Sequence, residues 1–151
     1  ARLLIAGYPA RLAPERRRVL RAQADRVGAL HRMEYIPFEE VARYFVAADL
    51  IALPYRHISQ SGVLYLALAL GLPVVATSVG AWPEMLSDGE NALLVPPENV
   101  PALADSLIRL LKDPTLRTRL SDSGQLLAAE HSWPRVAEKT EQAFQRLVDQ
   151  R

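Results

Sequence analysis

Short apolar runs alternate with amphipathic segments over roughly the first two thirds of the chain. The apolar runs are rich in Val, Ile, Leu and Ala and are bounded by Gly, Pro or charged residues, which is typical of buried strands. Between them, apolar residues recur at helical spacing, as Val41, Tyr44 and Phe45 do. The pattern predicts strands at residues 2–6, 33–36, 50–53, 74–77 and 92–95, and helices at 14–27, at 39–47 and after the polar turn 59–62.

This order of elements predicts an α/β fold built on a Rossmann-like, doubly wound parallel sheet with right-handed crossovers. Beyond the fifth strand the pattern is helical only, and we expect residues 98–151 to form a helical tail of the same domain. Asn99 is placed to cap the first helix of the tail, which Asp113 and Pro114 end. Ser132 is placed to cap a last helix, and the apolar residues on one face of that helix are Val136, Ala143, Phe144 and Leu147.

The size and composition fit one globular domain over residues 1–151, with half of the residues hydrophobic and 23% charged. The 18 basic and 17 acidic side chains nearly cancel, so the net charge of +1 does not favour a nucleic-acid partner. Cysteine is absent, which excludes disulfides, and three scattered histidines do not suggest a metal site. The apolar runs are too short to span a membrane, so we expect a cytoplasmic protein with at most peripheral membrane contact.

Three loops, 7–9, 55–62 and 78–84, follow predicted strands at the sheet edge where open α/β folds bind ligands. The second is the strongest candidate, because its turn from Ser59 to Gly62 carries hydroxyl and amide groups and a glycine that lets a ligand approach the backbone. The turn opens a helix whose free N–H groups suit a phosphate, and Arg56 adds a positive charge. The alternative stays open that Ser59 or Ser61 only caps the helix and that Gly62 serves packing.

Other polar and aromatic residues allow two interpretations each. The basic stretch from Arg16 to Arg26 is either a solvated helix face or a surface for an anionic partner or a membrane. His57 is either a proton carrier or a surface residue, and Glu84 either contacts a sugar hydroxyl or caps the turn that follows it. The residues that we expect to be structural are His31 and His131, and those that we expect to anchor packing are Trp82 and Trp133.

Several segments, taken in order, resemble motifs of the C-terminal, nucleotide-sugar-binding domain of family 4 glycosyltransferases, which have the GT-B fold. The segment Ala67-Leu-Ala-Leu-Gly-Leu-Pro-Val-Val-Ala-Thr77 is similar to the family's A-m-a-c-G-x-P-V-v-a-t, and Ala48-Asp-Leu-Ile-Ala-Leu-Pro54 is similar to A-D-v-f-v-l-P. The other matching segments are 2–7, 35–41, 79–84, 88–95 and 132–133. Each motif is short, but the ordered set covers nearly the whole chain.

The resemblance implies a hexosyltransferase-type enzyme that transfers a sugar from a UDP- or GDP-sugar with retention of configuration, without a metal or a further cofactor. It also implies a partner, the acceptor-binding N-terminal domain, which forms the other wall of the donor cleft. The residues expected around the donor are Ser61, Gly62, Val63 and Arg56 for the diphosphate, Gln60 and Glu84 for the sugar, and Tyr35, Ile36 and Leu66 for the nucleobase and ribose.

The sequence departs from the family pattern in two ways. The family has two glutamates, for the donor sugar and the ribose, at positions where this chain has Ile58 and Leu66, whose side chains accept no hydrogen bond. The family's Arg and Lys, which neutralise the leaving diphosphate, would precede Ala1, as would the acceptor-binding domain. The chain also opens directly on the apolar run Leu3 to Ala6, so we expect it to be truncated at its N-terminal edge. We therefore expect the isolated chain to be inactive and assign no catalytic residue.

Two other functions stay open at this point. The residues Ile58 and Leu66 motivate the first, a non-catalytic glycosyltransferase-like subunit that binds a ligand or acts as a scaffold. The second is a sugar-nucleotide epimerase of the same overall fold. Epimerases need acid and base side chains in the cleft, and this chain offers only His57 and Glu84, so we rank this hypothesis lowest.

Overall fold

The computed structural model describes residues 1–9 and 12–149, which form two compact units, Ala1–Ala47 and Ala48–Arg151. The elements of the first unit are β1 (Leu4–Ala6), α1 (Pro14–Arg26), β2 (Leu30–Arg32) and α2 (Phe38–Val46). Its two strands pair in parallel, with Leu4 opposite Leu30. Its small core consists of Ala24, Ala29 and Met33, with Ile5 and Leu20 packed against them.

The second strand lies at Leu30–Arg32, so the prediction of a strand at 33–36 is wrong. The cause is the end of α1, where Gly28 adopts φ 67° and its N–H donates to the Asp25 carbonyl at 3.0 Å, while the Ala29 N–H donates to the Ala24 carbonyl at 2.9 Å. This Schellman-type ending turns the chain at once into an extended conformation. The strand was missed because His31 and Arg32 interrupt the apolar signal.

The second unit contains three strands and five helices among its described residues. These are β3 (Ile51–Leu53), α3 (Gly62–Ala69), β4 (Val74–Thr77), α4 (Trp82–Met85), β5 (Leu93–Val95), α5 (Val100–Lys112), α6 (Pro114–Glu130) and α7 (Trp133–Asp149). The strand order is β3-β4-β5, and both pairings are parallel. All four residues of β4 are buried. Because side chains alternate between the faces of a strand, both faces of the sheet are covered at its centre, as a parallel sheet requires.

Helices α3, α5 and α6 complete the core of this unit. One cluster joins the sheet to α5 and α6, and its buried members are Val75, Leu93, Val95, Leu110, Leu116 and Leu120. Helix α3 buries Leu64, Ala67 and Leu68. Where α3 ends, Gly71 adopts φ 70° and its carbonyl accepts a hydrogen bond from Ser121 Oγ at 2.6 Å, which ties the end of α3 to α6.

The first two helices of the tail begin with side-chain caps. Asn99 Oδ1 accepts a hydrogen bond from the Ala102 N–H at 3.0 Å, and Asp113 Oδ1 accepts one from the Leu116 N–H at 2.9 Å. These side chains satisfy N–H groups that have no acceptor within their own helices. The prediction that Asn99 begins one helix and that the Asp113-Pro114 pair separates it from the next is therefore confirmed.

The last helix, α7, has the predicted apolar face but little cover. Val136, Ala143, Phe144 and Leu147 line one shallow groove of about 470 Å³ with the end of α6, and no described residue of α7 is buried. Trp133, at its start, is 85% exposed, so the prediction that Trp133 anchors packing is wrong. Trp82 is 1% exposed and is a packing anchor as predicted. Within the described ranges, no helix combines the length and the apolar character that a membrane crossing requires.

Candidate functional site

The candidate site lies at the carboxyl edge of the second unit's sheet. The loops that leave β3, β4 and β5 are residues 54–61, 78–81 and 96–99. Because the three strands are parallel, these loops start from the same edge, which is where open α/β sheets bind ligands. The loop at residues 7–9, which the sequence also suggested, belongs to the first unit.

Ser61 is the N-cap of α3. Its Oγ accepts a hydrogen bond from the Leu64 N–H at 3.4 Å, and the residue is buried. Ser61 therefore caps α3, and its hydroxyl, which accepts this bond, can still donate its own O–H to a ligand. The N–H groups of Gly62 and Val63 begin the first turn and have no acceptor within the helix.

Gly62 faces open space. A Cβ at this position would meet no atom within 4 Å among the described residues, so the interpretation that Gly62 serves packing is wrong. The neighbouring residues are also accessible, since Val63 is 43% exposed and Ser59 and Gln60 are exposed. The start of α3 is thus a solvent-facing concentration of N–H donors at the positive end of a helix dipole.

The loop after β3 is held by the end of β4, by the loop after β4 and by α4. Thr77 Oγ1 donates to the Tyr55 carbonyl at 2.5 Å, and the Tyr55 ring packs against Trp82 with ring centroids 5.4 Å apart. Further along, Gly80 lies directly against the Ile58 carbonyl. The position and shape of the turn before α3 are therefore set by contacts with residues about twenty positions later in the chain.

Arg56 pairs with an acidic residue of the third loop. Its Nε lies 3.2 Å from Oε1 of Glu98, and the two side chains are 75% and 67% exposed. Glu98 itself has φ 60°, an uncommon conformation for a residue with a side chain. An exposed pair of this kind contributes about 0–1 kcal/mol to stability, so the Arg56 guanidinium can be released at little cost.

The other predicted site residues lie in different surroundings. Glu84 sits in the first turn of α4, exposed, and its carboxylate has no partner among the described residues, so it does not cap a turn. His57 is exposed and Leu66 is half-buried on α3. Tyr35, which is 73% exposed, and Ile36 belong to the first unit.

The two remaining histidines are structural, as expected. His31 Nε2 lies 2.9 Å from Oδ1 of Asp25, and His131 Nδ1 lies 3.0 Å from the Leu127 carbonyl at the end of α6. The His131 ring also packs against Tyr65, with centroids 5.6 Å apart. Burial raises the pKa of Tyr65, whose hydroxyl faces the Met85 sulfur at 3.6 Å.

The basic stretch on α1 is mostly a solvated face, although two of its arginines form hydrogen bonds to backbone carbonyls of the first unit. Arg17 Nε donates to the Leu12 carbonyl at 2.8 Å, and Arg21 lies 3.4 Å from the Met33 carbonyl. Another arginine, Arg32 on β2, connects to α2 through Glu40 and Tyr44, and the hydrogen bond to Glu40 is the main reason that its pKa is raised.

Three residues at the site escaped prediction from the sequence: Thr77, Gly80 and Glu98. Thr77 was predicted only as the last residue of a strand. A polar side chain at the end of an apolar strand was the available signal that it bonds to a neighbouring loop. Gly80 appeared in a motif, but its close approach to Ile58 depends on the position of another loop. For Glu98 no sequence signal was available, because its partner Arg56 is distant along the chain.

Comparison with known proteins places this architecture in a family. The sequence model described as "Glycosyl transferases group 1" matches residues 1–113. D-inositol 3-phosphate glycosyltransferase of Corynebacterium urealyticum is 32% identical over 149 residues, which are 97% of this chain and 35% of that protein. The chain therefore spans about a third of the length of this curated relative.

Solved structures agree with the sequence match. Sucrose-phosphate synthase from Thermosynechococcus elongatus superposes with a TM-score of 0.82 at 27% identity, over 99% of this chain and 39% of that one. The C-terminal domain of the group 1 glycosyl transferase LpcC from Francisella tularensis gives a TM-score of 0.68 at 25% identity. The match covers 77% of this chain and 62% of that one. Anabaena HepE, solved in complex with UDP-glucose, shares the fold, with a TM-score of 0.76 at 20% identity. The match covers 85% of this chain and 36% of that one.

The predicted fold class is thus confirmed, including its assignment to one half of a GT-B glycosyltransferase. The family model covers the larger part of the chain, and the relative matches nearly all of it. The chain belongs to the group 1 glycosyltransferases and has the fold of their C-terminal domain.

Proposed function

We propose that this chain is the donor-binding domain of a retaining, metal-independent glycosyltransferase that uses a nucleoside-diphosphate sugar. The observation that carries the proposal is the start of α3, where Gly62 and Val63 are exposed, their N–H groups have no acceptor within the helix, and the space beside Gly62 is open. Backbone N–H groups at a helix N-terminus bind phosphate oxygens well, because they combine directed hydrogen bonds with the helix dipole. A diphosphate offers such oxygens and needs the room that the glycine leaves.

The remaining donor contacts follow from the side chains around this turn. Arg56 would exchange its ion pair with Glu98 for one with the diphosphate, whose charge is higher. Gln60 would donate or accept a hydrogen bond with a sugar hydroxyl, and Glu84, whose carboxylate has no partner among the described residues, would accept one. In this proposal Leu66 packs on the ribose.

We propose that the donor is a sugar linked to UDP or GDP, and we do not name the sugar. Support for a uridine nucleotide comes from HepE, which has the same fold and was solved in complex with UDP-glucose. The N-terminal domain of the enzyme would supply the acceptor site.

We also propose that the 151 residues alone transfer no sugar. Separation of a sugar from its diphosphate requires cations to stabilise the developing negative charge, and Arg56 is the single Lys or Arg in the loops that leave β3, β4 and β5. The relative from Corynebacterium urealyticum is about three times as long as this chain, so other residues of the enzyme would provide the missing charge and the acceptor site. No side chain is assigned as the catalytic group.

A non-catalytic, ligand-binding or scaffold function is the second candidate. The specific observation in its favour is that Ile58 and Leu66 occupy the two positions at which the family resemblance implies glutamates. Neither side chain can hydrogen-bond a sugar or a ribose. A protein that had lost transfer could keep the backbone N–H groups of α3 and still bind a nucleotide.

Isothermal titration of the full-length protein with UDP, GDP, UDP-glucose and GDP-mannose tests the proposal, followed by a transfer assay with the nucleotide sugar that binds. Binding together with transfer supports it, and the anomeric configuration of the product, read by NMR, decides whether transfer is retaining. Binding without transfer supports the second candidate as a nucleotide-binding subunit, and binding of none of the four ligands overturns the donor-site proposal. Transfer by the 151-residue chain alone would contradict its predicted inactivity.

A further inference from the structure

Thr77 ends β4 at a point where pairing with β3 stops but pairing with β5 continues. The β3–β4 pairing runs to Leu53 opposite Ala76, and the next residue on the β3 side is Pro54, which has no N–H to donate. On the other side Thr77 stands opposite Val95, and the Ser78 N–H donates to the Val95 carbonyl at 2.8 Å. The backbone of Thr77 is therefore held by β5.

Beyond the last backbone pair of β3 and β4, the hydroxyl of Thr77 bonds to the chain that leaves β3. Its Oγ1 donates to the Tyr55 carbonyl at 2.5 Å and lies 3.4 Å from the Leu53 carbonyl. Thr77 is 4% exposed, and its branched Cβ leaves few χ1 rotamers, so the donor is held in a nearly fixed direction. The bond thus ties the Tyr55 carbonyl, two residues after β3 ends, to the end of β4, while the Tyr55 N–H donates to the Leu53 carbonyl at 2.9 Å.

Further contacts follow along the loop. Tyr55 packs against the buried Trp82, the Ile58 carbonyl rests on Gly80, and the loop ends at Ser61, the buried cap of α3. These contacts lie between the Tyr55 carbonyl, which Thr77 holds, and the first turn of α3. A shift at Tyr55 would therefore strain the segment that leads into that turn.

We propose that Thr77 is a positioning residue, whose buried hydroxyl sets the path of the loop 55–61 and thereby the direction of the Gly62 and Val63 N–H groups. Thr77 makes no ligand contact in this proposal, because the residue is buried. The consequence for ligand binding rests on the proposed function above. The effect on the loop does not, and it can be measured without any ligand.

The test compares Thr77→Val, which keeps the shape and removes the hydroxyl, with Thr77→Ser, which keeps the hydroxyl and removes a methyl group. Both are made in the full-length protein, with Thr77→Ala in place of Thr77→Val should the latter not fold. Hydrogen exchange of residues 55–63 is measured without ligand, and the Kd for UDP by titration. We expect Thr77→Val to speed exchange in this segment about tenfold and to raise the Kd about three- to tenfold, and Thr77→Ser to remain close to the wild type in both.

Three outcomes separate the possibilities. If Thr77→Val leaves exchange in residues 55–63 unchanged, the hydroxyl does not position the loop and the inference is overturned. If Thr77→Ser is impaired as much as Thr77→Val, the methyl group matters instead, which also overturns it. If the wild-type protein binds no UDP, the uridine-donor form of the proposed function fails, while the exchange comparison still decides whether Thr77 positions the loop.

Discussion

Gly80 lies directly against the backbone carbonyl of Ile58, and no other residue type fits this contact. Gly80 has φ 58°, and a Cβ at this position would collide with the Ile58 oxygen. The loop after β4 therefore supports the loop after β3 through main-chain atoms. This relationship has a consequence for Ile58, because the backbone at this position is held whatever side chain it carries.

Gly80→Ala is expected to destabilise the protein by about 2–4 kcal/mol, since it adds left-handed backbone strain to a collision with main-chain atoms that cannot rotate away. Denaturant unfolding of the full-length protein measures the loss. Gly89→Ala is the matched control, because Gly89 also has positive φ, at 73°, but a Cβ there would meet nothing within 4 Å. The control should lose about 1 kcal/mol. Equal losses in the two variants would show that the contact with Ile58 carries no energy.

Gly62→Ala separates a ligand site from a packing site. The added methyl group meets no neighbour, and alanine is the better helix former, so stability should stay the same or rise by up to about 1 kcal/mol. The affinity for UDP should fall about tenfold or more, because the methyl group occupies the space through which phosphate oxygens reach the N–H groups. Thermal unfolding and titration are measured on the same sample. Unchanged affinity would count against the diphosphate site at α3.

Arg56→Ala and Glu98→Gln test the exposed ion pair from its two sides. Neither change should alter stability by more than about 1 kcal/mol, because the pair is largely solvent-exposed. Arg56→Ala should weaken UDP binding about three- to tenfold, and more at low salt than at high salt. Glu98→Gln should leave binding equal or make it stronger, because it releases the guanidinium. A loss of affinity in Glu98→Gln would mean that Glu98 holds Arg56 in its binding position.

Tyr65 should make stability fall at alkaline pH. Burial raises the pKa of Tyr65 in the folded state above the ordinary value of 10.0, which applies to the unfolded state. At a pH between the unfolded-state and the folded-state pKa, the folded state therefore binds more protons than the unfolded state. The contribution is fully present below about pH 10 and is lost as the pH rises through the folded-state pKa. Denaturant unfolding between about pH 8 and pH 11.5 should show a steeper decline in the wild type than in Tyr65→Phe. Tyr35→Phe, at a 73% exposed site, is the control and should decline as the wild type does.

Prediction from the sequence succeeded where a local signal was strong. The strand at Val74–Thr77 follows from a run of apolar residues, the cap at Asn99 from a short polar side chain at a helix start, and the break after α5 from the Asp113-Pro114 pair. The strand at Leu30–Arg32 was placed too late because two of its three residues are polar. Trp133 was expected to be buried, since a large apolar side chain favours burial, but it is exposed on α7.

By itself, the sequence determined the α/β class, the helical tail, the family resemblance and the position of the candidate turn. These depend on the spacing of apolar residues and on turn and cap residues, which act over a few positions along the chain. Only the tertiary structure showed that Gly62 faces open space and that Gly80 and Thr77 contact the loop after β3. The bond from Thr77 to Tyr55 and the contact of Gly80 with Ile58 each join residues 22 positions apart. These contacts form because parallel strands bring their loops to one edge of the sheet. A pattern that spans only a few residues does not predict which residues of two such loops will meet.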